Sequence, residues 1–204
     1  MAFAHRIKLA AVAGALAAVA VPAAAQVYSD GFKFLEAVEK KDRAKLNEIY
    51  NKSPTVIDAR DITKGHTALH LATQRRDLDW IQYLIGLKAN PNLTDKQGVT
   101  PLMLASQMGW VEGVSLLTRN GARVDVANNA GETPLISAVH RRDMAMLRVL
   151  LRAGADPERP DNSGRSARDY ASVDNTFTAI LNEINRLTDK GEKAKSAQVY
   201  GPSF

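Results

Sequence analysis

His66 and His70, in His66-Thr67-Ala68-Leu69-His70, stand four residues apart, the spacing that sets two imidazoles one helical turn from each other and could hold a metal ion. The chemistry stops there. No glutamate follows His66, as a zinc-hydrolase motif needs, and the chain has no cysteine for a thiolate ligand, a nucleophile, a disulfide or a lipid anchor. It contains no Gly-rich phosphate loop, no Gly-x-Ser-x-Gly elbow and no Ser-x-x-Lys pair. Asn51-Lys52-Ser53 and Asn92-Leu93-Thr94 match the glycan acceptor pattern, a tripeptide short enough to arise by chance. The residues therefore predict no catalytic centre, no metal and no cofactor.

Composition narrows the class further. Aromatic residues are 6% of the 204 and apolar residues 45%, so the core must come mainly from Ala, Leu, Val and Ile, which suits close-packed helices rather than a broad aromatic-lined cavity. The formal charge is +5, from 27 Lys+Arg against 22 Asp+Glu, and Arg6 and Lys8 belong to a segment expected to be removed. What remains is too small an excess to predict nucleic-acid binding. That segment has the three parts of an export signal: a basic start with His5, Arg6 and Lys8, an apolar stretch at residues 9–21, then Pro22 and Ala23-Ala24-Ala25. As a helix the apolar stretch spans about 20 Å against a hydrocarbon core of about 30 Å, so it predicts cleavage after Ala25 rather than stable membrane insertion. The mature protein is expected in the periplasm or outside the cell.

The elements that position these residues are set by an internal period. Gly65, Gly98, Gly131 and Gly164 are evenly spaced, and two positions after each stand Thr67, Thr100, Thr133 and Ser166. Next come Ala68-Leu69-His70-Leu71-Ala72, Pro101-Leu102-Met103-Leu104-Ala105, Pro134-Leu135-Ile136-Ser137-Ala138 and a degraded Ala167-Arg168-Asp169-Tyr170-Ala171. A hydroxyl just before an apolar helical pattern accepts from an unpaired first-turn amide, and Pro101 and Pro134 take the first helical position, where no N–H is needed. The glycines close turns in Asp95-Lys96-Gln97-Gly98, Asn128-Asn129-Ala130-Gly131 and Asp161-Asn162-Ser163-Gly164. A second helix is predicted in each unit, over residues 78–87, 111–119 and 144–152, with Gly121 and Gly154 ending the later two.

This pattern resembles the ankyrin repeat: a turn, a Thr-Pro-Leu-His-like helix start, a second Leu-rich helix and a Gly-Ala-Asp-Val-Asn-like exit, read here as Lys88-Ala89-Asn90-Pro91-Asn92, Gly121-Ala122-Arg123-Val124-Asp125 and Gly154-Ala155-Asp156-Pro157-Glu158. Two departures stand out. Only His70 keeps the motif histidine, and Lys88 occupies a glycine position, where it is expected to strain or reshape a helix end. The resemblance implies an all-α solenoid over residues 26–187, with regular units at 65–97, 98–130 and 131–163. A divergent unit at 31–64 and a closing unit at 164–187 cap it, the latter with Arg168, Asp169 and Glu183 facing solvent. Residues 188–204, short, polar and Lys-rich, are expected to be disordered.

Where the first helices end, the chain reads Lys40-Lys41-Asp42, Arg75-Arg76-Asp77 and Arg141-Arg142-Asp143, with Met108-Gly109-Trp110 breaking the series. Cations there complement a helix C-terminus and each Asp can cap the next helix. The series also lies where, in proteins similar to this one, turn tips and first-helix ends line a concave groove that binds other proteins. The positions so implied are Lys64, His66, Gln74, Arg75, Lys96, Gln97, Val99, Gln107, Met108, Asn129, Glu132, His140 and Arg141, with Trp110 beside them as an aromatic anchor or as filler between helices. The reading is a monomeric, non-catalytic protein-binding module that accepts a partner with an acidic edge, an accessory or regulatory component of the cell envelope; the alternative is a secreted effector of a foreign protein.

Overall fold

The computed structural model describes residues 23–173 and 175–199. Helices α1 (Ala23–Glu39) and α2 (Arg43–Lys52) and a 3-10 turn (Pro54–Asp58) precede three regular pairs: α3 (Ala68–Gln74) with α4 (Leu78–Gly86), α5 (Pro101–Gln107) with α6 (Val111–Arg119), and α7 (Pro134–His140) with α8 (Met144–Arg152). A last pair, α9 (Ala167–Ser172) and α10 (Thr178–Val199), closes the array. No strand occurs among the described residues. The first helices pack in the order α1, α3, α5, α7, α9, and α4, α6, α8 and α10 form a second row behind them.

Helix starts follow from the hydroxyls. Thr100 Oγ1 accepts from Met103 N–H and Thr133 Oγ1 from Ile136 N–H, both at 3.2 Å, and Ser166 Oγ accepts from Asp169 N–H at 3.1 Å. The second helices begin on carboxylates, with Asp42, Asp77 and Asp143 accepting from Lys45, Trp80 and Met146 N–H. Between rows the core is built in columns one period apart. Ala72, Ala105, Ala138 and Ala171 keep the first helices close, and Leu84, Leu117 and Leu150 fill the space behind them, all fully or almost fully buried. Each column touches its neighbours, so burial in one unit requires the next to be folded.

Between pairs the chain makes fingers. Asp95 N–H donates to Val99 O, Asn128 N–H to Glu132 O and Asp161 N–H to Arg165 O, closing three of equal size, while the first, closed by Asp61 N–H on His66 O, is one residue longer. Adjacent fingers are bonded in series: Lys96 N–H to Lys64 O, Asn129 N–H to Gln97 O, Asn162 N–H to Ala130 O. On the opposite side Asp58, Asn92 and Asp125 each accept a backbone N–H from the following exit loop. Asn92 also donates to Gly121 O, so this glycan acceptor candidate is occupied by the fold.

Three expectations are revised. α1 is helical from Ala23, eight residues before the boundary read from the sequence for the first unit, so among the described residues no finger precedes that unit, and the expected cleavage point lies in the first turn of the helix. Residues 1–22 of the expected signal lie outside the described residues. At the other end α10 continues to Val199 through most of the segment expected to be disordered, since Ala, Glu, Lys and Gln there have high intrinsic helix propensity; residues 200–204 are outside the described set. Glu183 does not face solvent: it is buried against α8, where Arg186 and Arg148 hydrogen-bond to it and hold its carboxyl down at about 2.

Candidate protein-binding groove

The sites implied for binding lie on the fingers and at the ends of the first helices. Lys64, Gln74, Lys96, Gln97, Asn129, His140 and Arg141 are exposed, and Arg75, Val99, Gln107, Met108 and Glu132 are half-buried. Not all are free. Lys96 and Asn129 use their side chains on the preceding finger, and Glu132 lies 3.4 Å from His140, whose ring meets Tyr170 edge-on.

Two residues leave the list. His66, expected at a turn tip, is buried: its ring stacks on His70 with centroids 5.3 Å apart, and its Nε2 is 3.6 Å from Asp95 Oδ2. Its backbone closes on Asp61 as Val99 closes on Asp95, while its ring is turned inward onto His70. His70 in turn bonds Thr67 N–H through Nδ1 and Val99 O through Nε2, tying one unit to the next. Burial holds the His70 pKa below the ordinary value, and the ring stacking with the contacts to Asp95 and Val99 places both imidazoles in the packing between units. Among the described residues no group of three or more His, Asp or Glu is placed to hold a metal. Trp110 is the second. It is 6% exposed and lies against Gly113, where a β-carbon would fall 2.2 Å from its ring, so it fills the interior and presents nothing to a partner.

The basic series divides by alternate residues. Lys41, Arg76 and Arg142 have φ of 57°, 51° and 54°, and Gly109 takes the same left-handed conformation without a β-carbon to oppose it. That geometry turns the side chains along the array: Lys41 Nζ pairs with Asp77 at 2.6 Å, Arg76 donates to Met108 O at 2.6 Å, and Arg142 donates to Thr176 Oγ1 at 2.9 Å. These three join units. Lys40 is held on Glu36, and the Arg75 guanidinium lies 6.0 Å from the Trp80 ring with Nε and Nη2 buried. Arg141 is exposed and extends back over Gly109. Of the cations in the series it is the one left to meet a partner.

Sequence reasoning missed Phe32 and Ile62, both strongly exposed at the first-finger end of the groove. The signal was present: Ile62 follows Asp61 as Lys96, Asn129 and Asn162 follow their Asp or Asn, but the longer first finger puts it out of the even period.

A stack of short helix pairs with bonded fingers and a row of outward side chains defines a repeat solenoid of the protein-interaction class. The family model for Ankyrin repeats (3 copies) matches residues 34–128, and that for Ankyrin repeats (many copies) matches residues 116–171. The chain belongs to the ankyrin repeat family and carries a protein–protein interaction module; ankyrin repeat proteins are generally non-catalytic. No helix among the described residues is long and apolar enough to cross a membrane.

Proposed function

We propose that this chain is an exported, monomeric, non-catalytic module that binds another protein of the cell envelope and acts as its accessory or regulator. The observation that carries the reading is the division of labour in the groove. The side chains that join units are accounted for by bonds within the array, whereas Lys64, Gln74, Gln97 and Arg141 project from it, with half-buried Met108 between. Large apolar and Arg side chains with this placement are the usual anchors of protein interfaces. Arg141 gives the central and C-terminal part of the groove a positive charge suited to an acidic edge on the partner. Export is supported by the basic, apolar and small-residue order of the first 25 residues.

Affinity capture of the mature protein from its own envelope fraction, with mass spectrometry of what is retained, tests the binding role. The expected result is a stoichiometric protein partner lost on Arg141→Glu; retention of nothing above a scrambled-surface control contradicts it. For export, N-terminal sequencing of protein from the native host is expected to begin near Gln26, and an intact Met1 in a membrane fraction is the opposing result.

A further inference from the structure

Every finger after the first is tied to its predecessor by the residue that follows its opening Asp or Asn. Lys96 Nζ donates to Ile62 O at 2.6 Å, Asn129 Nδ2 to Lys96 O at 3.0 Å and Asn162 Nδ2 to Asn129 O at 3.0 Å. Ile62 holds this place in the first finger, and among the described residues no finger precedes it, α1 being helical from Ala23 to Glu39. The end of the ladder is thus closed by an apolar residue with nothing to bond to. Ile62 is 68% exposed, and Phe32 of α1 is likewise 68% exposed. Both line a hollow of about 590 Å³, open to solvent, that also takes in Leu35 and Ala59. Clustered apolar surface rimmed by polar groups is what a docking site leaves uncovered in the free protein.

The rim specifies what else the occupant carries. Glu36, Glu39, Asp61, Lys40 and Arg60 surround the hollow. Lys40 is paired with Glu36, Arg60 donates to Thr94 O, and Asp61 is taken up by the N–H groups of Thr63, Lys64 and His66. Glu39 has no ion pair among the described residues, and it is the last residue of α1, whose final turn holds no basic residue. Lys40 and Lys41 follow it but are taken up by Glu36 and Asp77, so Glu39 is the rim carboxylate left to meet a cation, at the negative end of the helix dipole.

We propose that the hollow anchors a partner protein through a large apolar side chain, aromatic or aliphatic, of an extended segment, and that a Lys or Arg of the same segment meets Glu39. Phe32 and Glu39 are seven residues apart on α1, about 10 Å, so about three extended residues separate the two anchors. The inference rests on the binding-module reading and adds a polarity to it: the partner is basic where it meets α1 and acidic where it meets Arg141.

The test is selection of a displayed random-peptide library on the full chain, with affinities then measured for Phe32→Ser, Ile62→Ser and Glu39→Lys. Both apolar positions are exposed, so these variants keep the fold, which circular dichroism checks. The expected binders carry an apolar residue with Lys or Arg about three positions away, lose roughly thirtyfold on Phe32→Ser, and lose about tenfold on Glu39→Lys. Peptides whose affinity ignores all three substitutions, or that are enriched in acidic residues at the second position, overturn the proposal. So does a homodimer dissociated by Phe32→Ser, which would make a second copy the occupant. If the envelope partner is captured equally by wild type and Phe32→Ser but not by Arg141→Glu, the anchor is wrong and the module reading stands; no captured partner and no peptide binder defeats both.

Discussion

Lys88 ends α4 in a left-handed conformation with φ of 70°, where the two following units place Gly121 and Gly154. The helix end is not reshaped: Lys88 N–H donates to Ile85 O and Ala89 N–H to Leu84 O, as Gly121 and Ala122 do on Thr118 and Leu117. The side chain simply bears the conformational cost, so Lys88→Gly is expected to stabilise the protein by about 0.5–1 kcal/mol, read from the shift in denaturation midpoint. His70 makes a second residue-scale prediction. Burial depresses its pKa from 6.5, and His66, Asp95 and Arg60 are the charged or titratable groups acting on it. The unfolded chain then binds a proton more readily than the folded one, so this contribution is complete above about pH 6.5 and is lost as pH falls below it. Urea denaturation at pH 7.5 and 5.5 should show lower stability at the acid value, with the difference reduced in His70→Gln.

At the scale of elements, α6 is a second-row helix confined on both sides. It lies between α4 and α8, and Leu117 is fully buried on its inner face. Leu117→Ala should cost about 2–5 kcal/mol, and a thermal melt unchanged from wild type would contradict the register of the whole array. The same helix lacks the carboxylate cap of its neighbours, since Trp110 stands in the Asp position and makes no side-chain capping bond. What α6 gains instead is the indole packed over Gly113, an exchange of a cap for buried apolar area. The closing pair adds charge to apolar packing: Glu183 stands between Arg148 and Arg186 and joins α10 to α8, beside the buried Ile180 and Ile184 of α10.

For the whole molecule, fingers, exit loops and the left-handed basic residues form parallel series of bonds along the array, so stability and binding reside in different side chains of the same repeat. Arg141 tests that separation most directly. Arg75 is tied to Trp80 and its loss would disturb packing, whereas Arg141 is exposed. Arg141→Gln should leave stability within about 1 kcal/mol, while slowing association with the captured partner and flattening its dependence on salt. Unaltered rates at two salt concentrations would place the interface elsewhere on the array.

The period in Gly65, Gly98, Gly131 and Gly164, the hydroxyl caps and the Pro starts were enough, read from the chain alone, to determine the fold, because each acts through backbone geometry within a few residues of itself. The same locality explains what stayed hidden. Whether Lys41, Arg76 and Arg142 turn along the array while Arg141 faces outward depends on a left-handed backbone and on a carboxylate, a carbonyl and a hydroxyl about one repeat away. The interior place of Trp110 depends on the missing β-carbon of Gly113, and the inward place of His66 on its stacking with His70 and its approach to Asp95 of the next finger. The exposure of Phe32 and Ile62 depends on the absence, among the described residues, of a finger before the first, although the place of Ile62 after Asp61 could be read from the chain. Local hydrogen bonds and helix signals are carried by neighbouring residues, whereas the choice between core, tie and open surface is made by contacts between repeats, and only the tertiary structure decides it.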